Sequence, residues 1–138
     1  MVDALREAWR VLKPWGVLIN VRSVTTPMAV EVVIATRAIW AKEVASYSTP
    51  EDVAAAEAAV QHALSSEWFV FEKSLPYDFE IYCDTAADLS LYAQTRKLPE
   101  AEIPYGEMEE RRRELGADGL TACLRCRRPW MLSTYRKK

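Results

Sequence analysis

The sequence is poor in the residues that most often announce chemistry. It has four glycines, and neither GxxxxGK nor GxGxxG can be written anywhere in it, so no glycine-rich phosphate cradle is present. A single histidine, His62, with no GxSxG turn and no HExxH, excludes the common nucleophile and zinc-protease constellations. The three cysteines are odd in number and irregularly spaced, which points to reduced thiols and a cytoplasmic setting. No apolar run approaches the roughly 20 residues of a membrane span, and the charged start, residues 1–10, is no signal peptide.

What is there is enough to fold. Half of the 138 residues are apolar and the net charge is −2, which excludes disorder as the main state. Residues 1–138 are expected to form a single domain of the α/β or α+β class, burying about 68% of the extended-chain surface. The charge is unevenly spread. Residues 1–110 hold 9 basic and 18 acidic side chains, and residues 111–138 hold 9 basic and 2 acidic. That basic end resembles a nucleic-acid footprint in charge alone. Only Trp130 and Tyr135 could stack on bases there, so nucleic acid is not the expected partner.

Leu5, Ala8, Trp9 and Leu12 recur at helical spacing, predicting an amphipathic helix over residues 3–12 that Pro14 and Gly16 stop. Val17, Leu18, Ile19 and Val21 follow as a run apolar on both faces, the pattern of a strand covered on two sides in a parallel sheet. Residues 28–47 read as a strand or hairpin, from the alternation of Val30, Val32 and Ile34. Ser48, Thr49, Pro50, Glu51 and Asp52 open the clearest helix, with Val53, Ala56, Val60, Ala63 and Leu64 on one side. Two β segments, 68–71 and 77–83, are expected around Leu75 and Pro76. Asp84 is expected to cap a helix running to about Arg96, and Pro104 to open one that Gly116 ends. Two more β segments, 120–126 and 130–136, are expected either side of Pro129, which removes a ladder donor.

Cys123 and Cys126 have metal-ligand spacing, and Cys83 with His62 would complete a four-ligand set. In a β segment, however, residues three apart point to opposite faces, and His62 falls on the solvent side of its helix. Buried structural thiols are the better reading, with no metal. Glu72, Asp78 and Glu80 could line a cleft, but nothing pairs them for acid–base work, so no catalytic residue is assigned.

Residues 4–19, ALREAWRVLKPWGVLI, resemble the helix–turn–strand "RVLKPGG-L-I" segment of class I S-adenosylmethionine-dependent methyltransferases. The later order agrees: a capped helix, residues 69–82 ending in Tyr82-Cys83-Asp84, and a closing strand through Pro129 and Trp130. Trp15 stands where that family usually has glycine. The resemblance is to the C-terminal half of the family. It implies a small mixed sheet with helices mainly on one face and the last strand central and antiparallel. The family's cofactor loop and acidic positions would precede Met1, so the resemblance carries over no S-adenosylmethionine ligand, and no cofactor is expected. Two function classes fit: a non-catalytic, self-associating binding module, or a methyltransferase half that works with a separate cofactor-binding segment.

Two expectations locate function. Ligands of open α/β sheets collect beyond the carboxyl ends of parallel strands, here near Arg22, which can hold an anion, with Trp40 and Tyr82 as aromatic walls for a small molecule. The strand over residues 17–22 lacks its family neighbour. It is therefore expected to form a homodimer through its edge or its uncovered face, unless residues 28–47 fold back to cap it.

Overall fold

The structure, a computed structural model, describes residues 1–24, 27–45 and 49–138. Its elements are α1 (Val2–Val11), β1 (Val17–Ser23), β2 (Met28–Ile34), β3 (Arg37–Val44), α2 (Pro50–Ser65), β4 (Phe69–Cys83), α3 (Ala86–Thr95), a single 3-10 turn (Glu100–Glu102), α4 (Tyr105–Ala117) and β5 (Ala122–Lys137). The α/β class is as expected. Five strands are hydrogen-bonded in the order β1-β5-β2-β3, with β4 also on β5, and β1, β2 and β3 pair antiparallel to their neighbours. The last strand is thus the central one. The two-sided cover expected of β1 is corrected: β1 lies antiparallel to β5 at the end of the strand order, and its alternate side chains are exposed.

The two long strands correct two further expectations. β4 runs unbroken through Leu75 and Pro76, and β5 through Pro129. The pairing of β5 with β1 and β2 leaves room for the second proline. β2 pairs with residues 122–127 of β5 and β1 with residues 130–136, so Pro129 falls where neither strand asks it for an N–H. Residues 28–45 form the hairpin β2–β3, turned by Ala35 in the left-handed region (φ 54°) in place of an Asn-Gly pair. Residues 46–48, including the Ser48 of the expected cap, lie outside the described residues. Thr49 is the cap of α2, its hydroxyl accepting from the Asp52 N–H at 3.1 Å. At α3 the cap is Thr85, not Asp84: the Thr85 hydroxyl accepts from the Asp88 N–H at 3.2 Å.

The chain divides into two compact units. The first comprises Met1–Thr25, Ser48–Tyr77 and Trp130–Lys138. In it α1 and α2 lay Leu5, Trp9, Leu12, Val60 and Ala63 against Leu18, Phe69 and Tyr135. The second comprises Thr26–Tyr47 and Asp78–Pro129. Its core is larger: Leu89 and Met108 from α3 and α4 are fully buried with Val30 and Val32 of β2 and Leu124 and Cys126 of β5. Each such side chain contributes about 1.5–3 kcal/mol on burial.

Candidate functional site

In the second unit a charge cluster lies on the face of the strands opposite that core. Val30 and Val32 alternate with Glu31, and Leu124 and Cys126 with Arg125, so the register that buries the apolar set sets Glu31 directly across from Arg125. Glu31 is 1% exposed and accepts from Arg125 Nε at 2.5 Å and from Arg127 Nη2 at 3.0 Å. β4 supplies the rest. Asp78 pairs with Arg127 at 3.1 Å and Glu80 with Arg125 at 3.3 Å, and the Arg125 guanidinium also donates to the Tyr82 hydroxyl and lies over its ring. Burial lowers the basicity of Arg125, but hydrogen bonds to Tyr82 and Glu31 and the charges of Glu31 and Glu80 outweigh it, so the guanidinium is held protonated. This network was not read from the sequence. Its signal was a lone carboxylate inside the β-branched run over residues 30–33.

The basic C-terminal end proves to be paired. Arg111 meets Glu114, Arg112 and Arg113 meet Glu109, Arg136 meets Glu72 and Lys138 meets Glu67, while Lys137 donates to the Leu12 carbonyl. Residues crowded by charge in sequence are therefore distributed over carboxylates of β2, β4, α4 and the turn before β4. Glu72, Asp78 and Glu80, weighed as cleft acids, are three of those partners.

Arg22, Trp40 and Tyr82 fall in different places. Trp40, in the second unit, donates from its indole nitrogen to Glu107 at 3.1 Å. Tyr82 belongs to the charge cluster and donates to Glu80 at 2.8 Å. Arg22 belongs to the first unit, where it pairs with Glu57 of α2 and borders two depressions, of about 270 and 410 Å³. The thiols behave as structural groups. Cys83 and Cys126 are buried, and desolvation pushes Cys83 up and Cys126 to about 11. Among the described residues no cluster could hold a metal, and His62 is exposed, edge-on to Trp68 at 5.5 Å. No described helix is long and apolar enough to cross a membrane.

The first unit also has an open face. Along β1, Leu18, Asn20 and Arg22 alternate with Val17, Ile19 and Val21; the first set faces α1 and α2, and the second is 43%, 60% and 42% exposed. The Arg136–Glu72 pair places Glu72 of β4 on the same side as Val17, the cross-strand partner of Arg136, so Val70, two residues away, joins that side. Farther along β4, Ser74 meets Ser133 at 2.9 Å and Leu75 is 59% exposed. The result is an apolar patch beside a strand edge. No protein-family model, curated protein or solved structure matches the chain.

Proposed function

We propose that the chain is a non-catalytic module, derived from a class I methyltransferase, that associates with a second copy of itself through β1. The observation that carries this reading is the exposed set Val17, Ile19 and Val21 on a terminal strand that pairs, among the described residues, with β5. Such an edge offers unpaired N–H and C=O groups, and its patch of large apolar side chains gains by leaving water. The strand is self-complementary. A two-fold axis at Asn20 sets Ile19 opposite the partner copy's Val21 and Leu18 opposite its Arg22, with no like charges facing. Among the described residues β1 pairs with β5, and the β2–β3 hairpin pairs with residues 122–127 of β5.

The ancestry rests on the resemblance of residues 4–19, and two features support it. Trp15 adopts φ 64°, the left-handed geometry that favours the glycine usual at that position, and the closing strand is central. The free thiols support a reducing, cytoplasmic setting. Light scattering after size exclusion tests self-association: at tens of micromolar the mass is expected at twice the 15.7 kDa of the chain. Ile19→Lys, altering a side chain already 60% exposed, is expected to return it to the single-chain mass with its circular dichroism intact. A single-chain mass for the unaltered protein refutes the module. Calorimetric titration with S-adenosylmethionine separates the second reading, a methyltransferase half completed by another segment. We expect no binding tighter than millimolar, about 4 kcal/mol; a micromolar site restores the enzyme.

A further inference from the structure

The larger depression beside Arg22 has the chemistry of a ligand site. Its volume is about 410 Å³, within the range of small-molecule sites. Its floor is β1, β5 and β4, and α2 forms one wall. Val60, Leu64, Phe71 and Tyr135 line it with apolar surface, and the Phe71 and Tyr135 rings meet edge to face at 5.7 Å. Ser74 and Ser133 bring polar atoms to the same floor, their hydroxyls 2.9 Å apart. Of its lining residues only Arg22 and Glu57 are charged, and they are paired with each other.

That pairing leaves Arg22 incompletely satisfied. Its Nε is shielded from water and has no hydrogen-bond partner among the described residues, while the side chain as a whole stays 22% exposed at the border of both depressions. A buried cationic donor without an acceptor is unfavourable, and a ligand oxygen relieves it where the side chain, still partly exposed, turns to meet the groove. A guanidinium favours a planar two-oxygen acceptor. Glu57 already offsets the one cation in the groove, so an added anion brings net negative charge, and a single charge is tolerated there better than a doubly charged phosphate. The adjoining walls ask for an apolar body.

We infer that the first unit binds an amphipathic monocarboxylate, its carboxylate on Arg22 and its hydrocarbon part along Val60, Leu64, Phe71 and Tyr135. The groove lies on the helix side of β1, opposite Val17, Ile19 and Val21, so the inference goes beyond self-association and does not depend on it. Glu57 acts in it as an internal competitor for the guanidinium.

Titration of the full chain with octanoate, followed by nuclear magnetic resonance or calorimetry, tests this, with acetate and octylamine as controls. Octanoate is expected to bind saturably, with acetate and octylamine showing no saturable binding over the same range. Arg22→Gln is expected to weaken octanoate by about fivefold or more, and Glu57→Gln to tighten it by about twofold or more, because a like charge leaves the site. Saturable binding of octylamine, or octanoate affinities for both variants within these limits of the unaltered chain, overturns the assignment. Should Arg22→Gln fail to fold, the Glu57→Gln affinity decides alone, since that side chain is half exposed. Light scattering on the same samples reports self-association separately.

Discussion

Each unit sets two helices against antiparallel strands, yet the two close the remaining face of those strands differently. In the second unit the face away from the helices is occupied by Glu31, Arg125 and Arg127, with Asp78, Glu80 and Tyr82 from β4. In the first, the corresponding face carries Val17, Ile19 and Val21 in contact with water. The terminal strands differ in the same sense. β3 bears Arg37, Lys42 and Glu43, charges of the kind that discourage edge pairing, whereas the exposed side chains of β1 are aliphatic. A surface closed by internally satisfied charge needs nothing else. One left apolar, beside an open edge, is where we propose that a second copy associates.

The sharpest way to break this comparison is to unpair the second unit's network. Glu31→Ala is expected to cost about 3–5 kcal/mol in urea denaturation, because it leaves Arg125 buried without its main counter-ion. The double change Glu31→Leu with Arg125→Met is expected to recover most of that loss, since well-packed apolar residues replace buried pairs at little cost. A loss under about 1 kcal/mol for the single change would put this network in the class of exposed pairs.

A smaller effect comes from α4. The Arg112 hydrogen bond, aided by the Ala86 N–H and the charges of Arg112 and Arg113, outweighs burial and holds Glu109 at about 2, against an ordinary 4.5. A carboxylate depressed in the folded state contributes stability in full above its unfolded value and loses it as the pH falls from about 4.5 through 2. With Glu109 partly exposed and its partners at the surface, the contribution is of order 1–2 kcal/mol. Glu109→Gln is expected to flatten the acid limb of the stability curve over that window. An unchanged limb would show that other carboxylates govern acid unfolding.

The smallest effect sharpens the first unit. Trp15 is held at φ 64° with its side chain 70% exposed, so it has strain to lose and little packing. Trp15→Gly is expected to stabilise the chain by about 0.5–1 kcal/mol, read as a rise in thermal midpoint. Its neighbour gives the opposite sign. A Cβ on Gly16 would come within 2.8 Å of the Lys13 carbonyl oxygen, so Gly16→Ala is expected to lower the midpoint.

The helices were legible because their signals are local. The stripe of Leu5, Trp9 and Leu12 packs as its spacing implies, and Pro50 with Thr49 opens α2. The prolines misled for the complementary reason. A missing N–H matters only where a neighbour needs it, and the neighbours of Pro129 are set by strands about a hundred residues away in the chain. Val17, Ile19 and Val21 read as buried because a sequence shows that a strand is apolar on both faces, not whether anything lies against each.

The site residues divide in the same way. Arg22, Trp40 and Tyr82 were chosen by type, and each does hold a polar partner, but a different one, with Arg22 in the first unit and Trp40 and Tyr82 in the second. The sequence by itself determined the α/β class, the helix positions and the unequal spread of charge, since composition and short-range periodicity carry them. Tertiary structure alone decided that Glu31 would sit between two arginines 94 and 96 positions away, that Arg22 would border a groove, and that one face of β1 would stay bare. Those depend on strand order and register, which bring together residues that no local pattern relates.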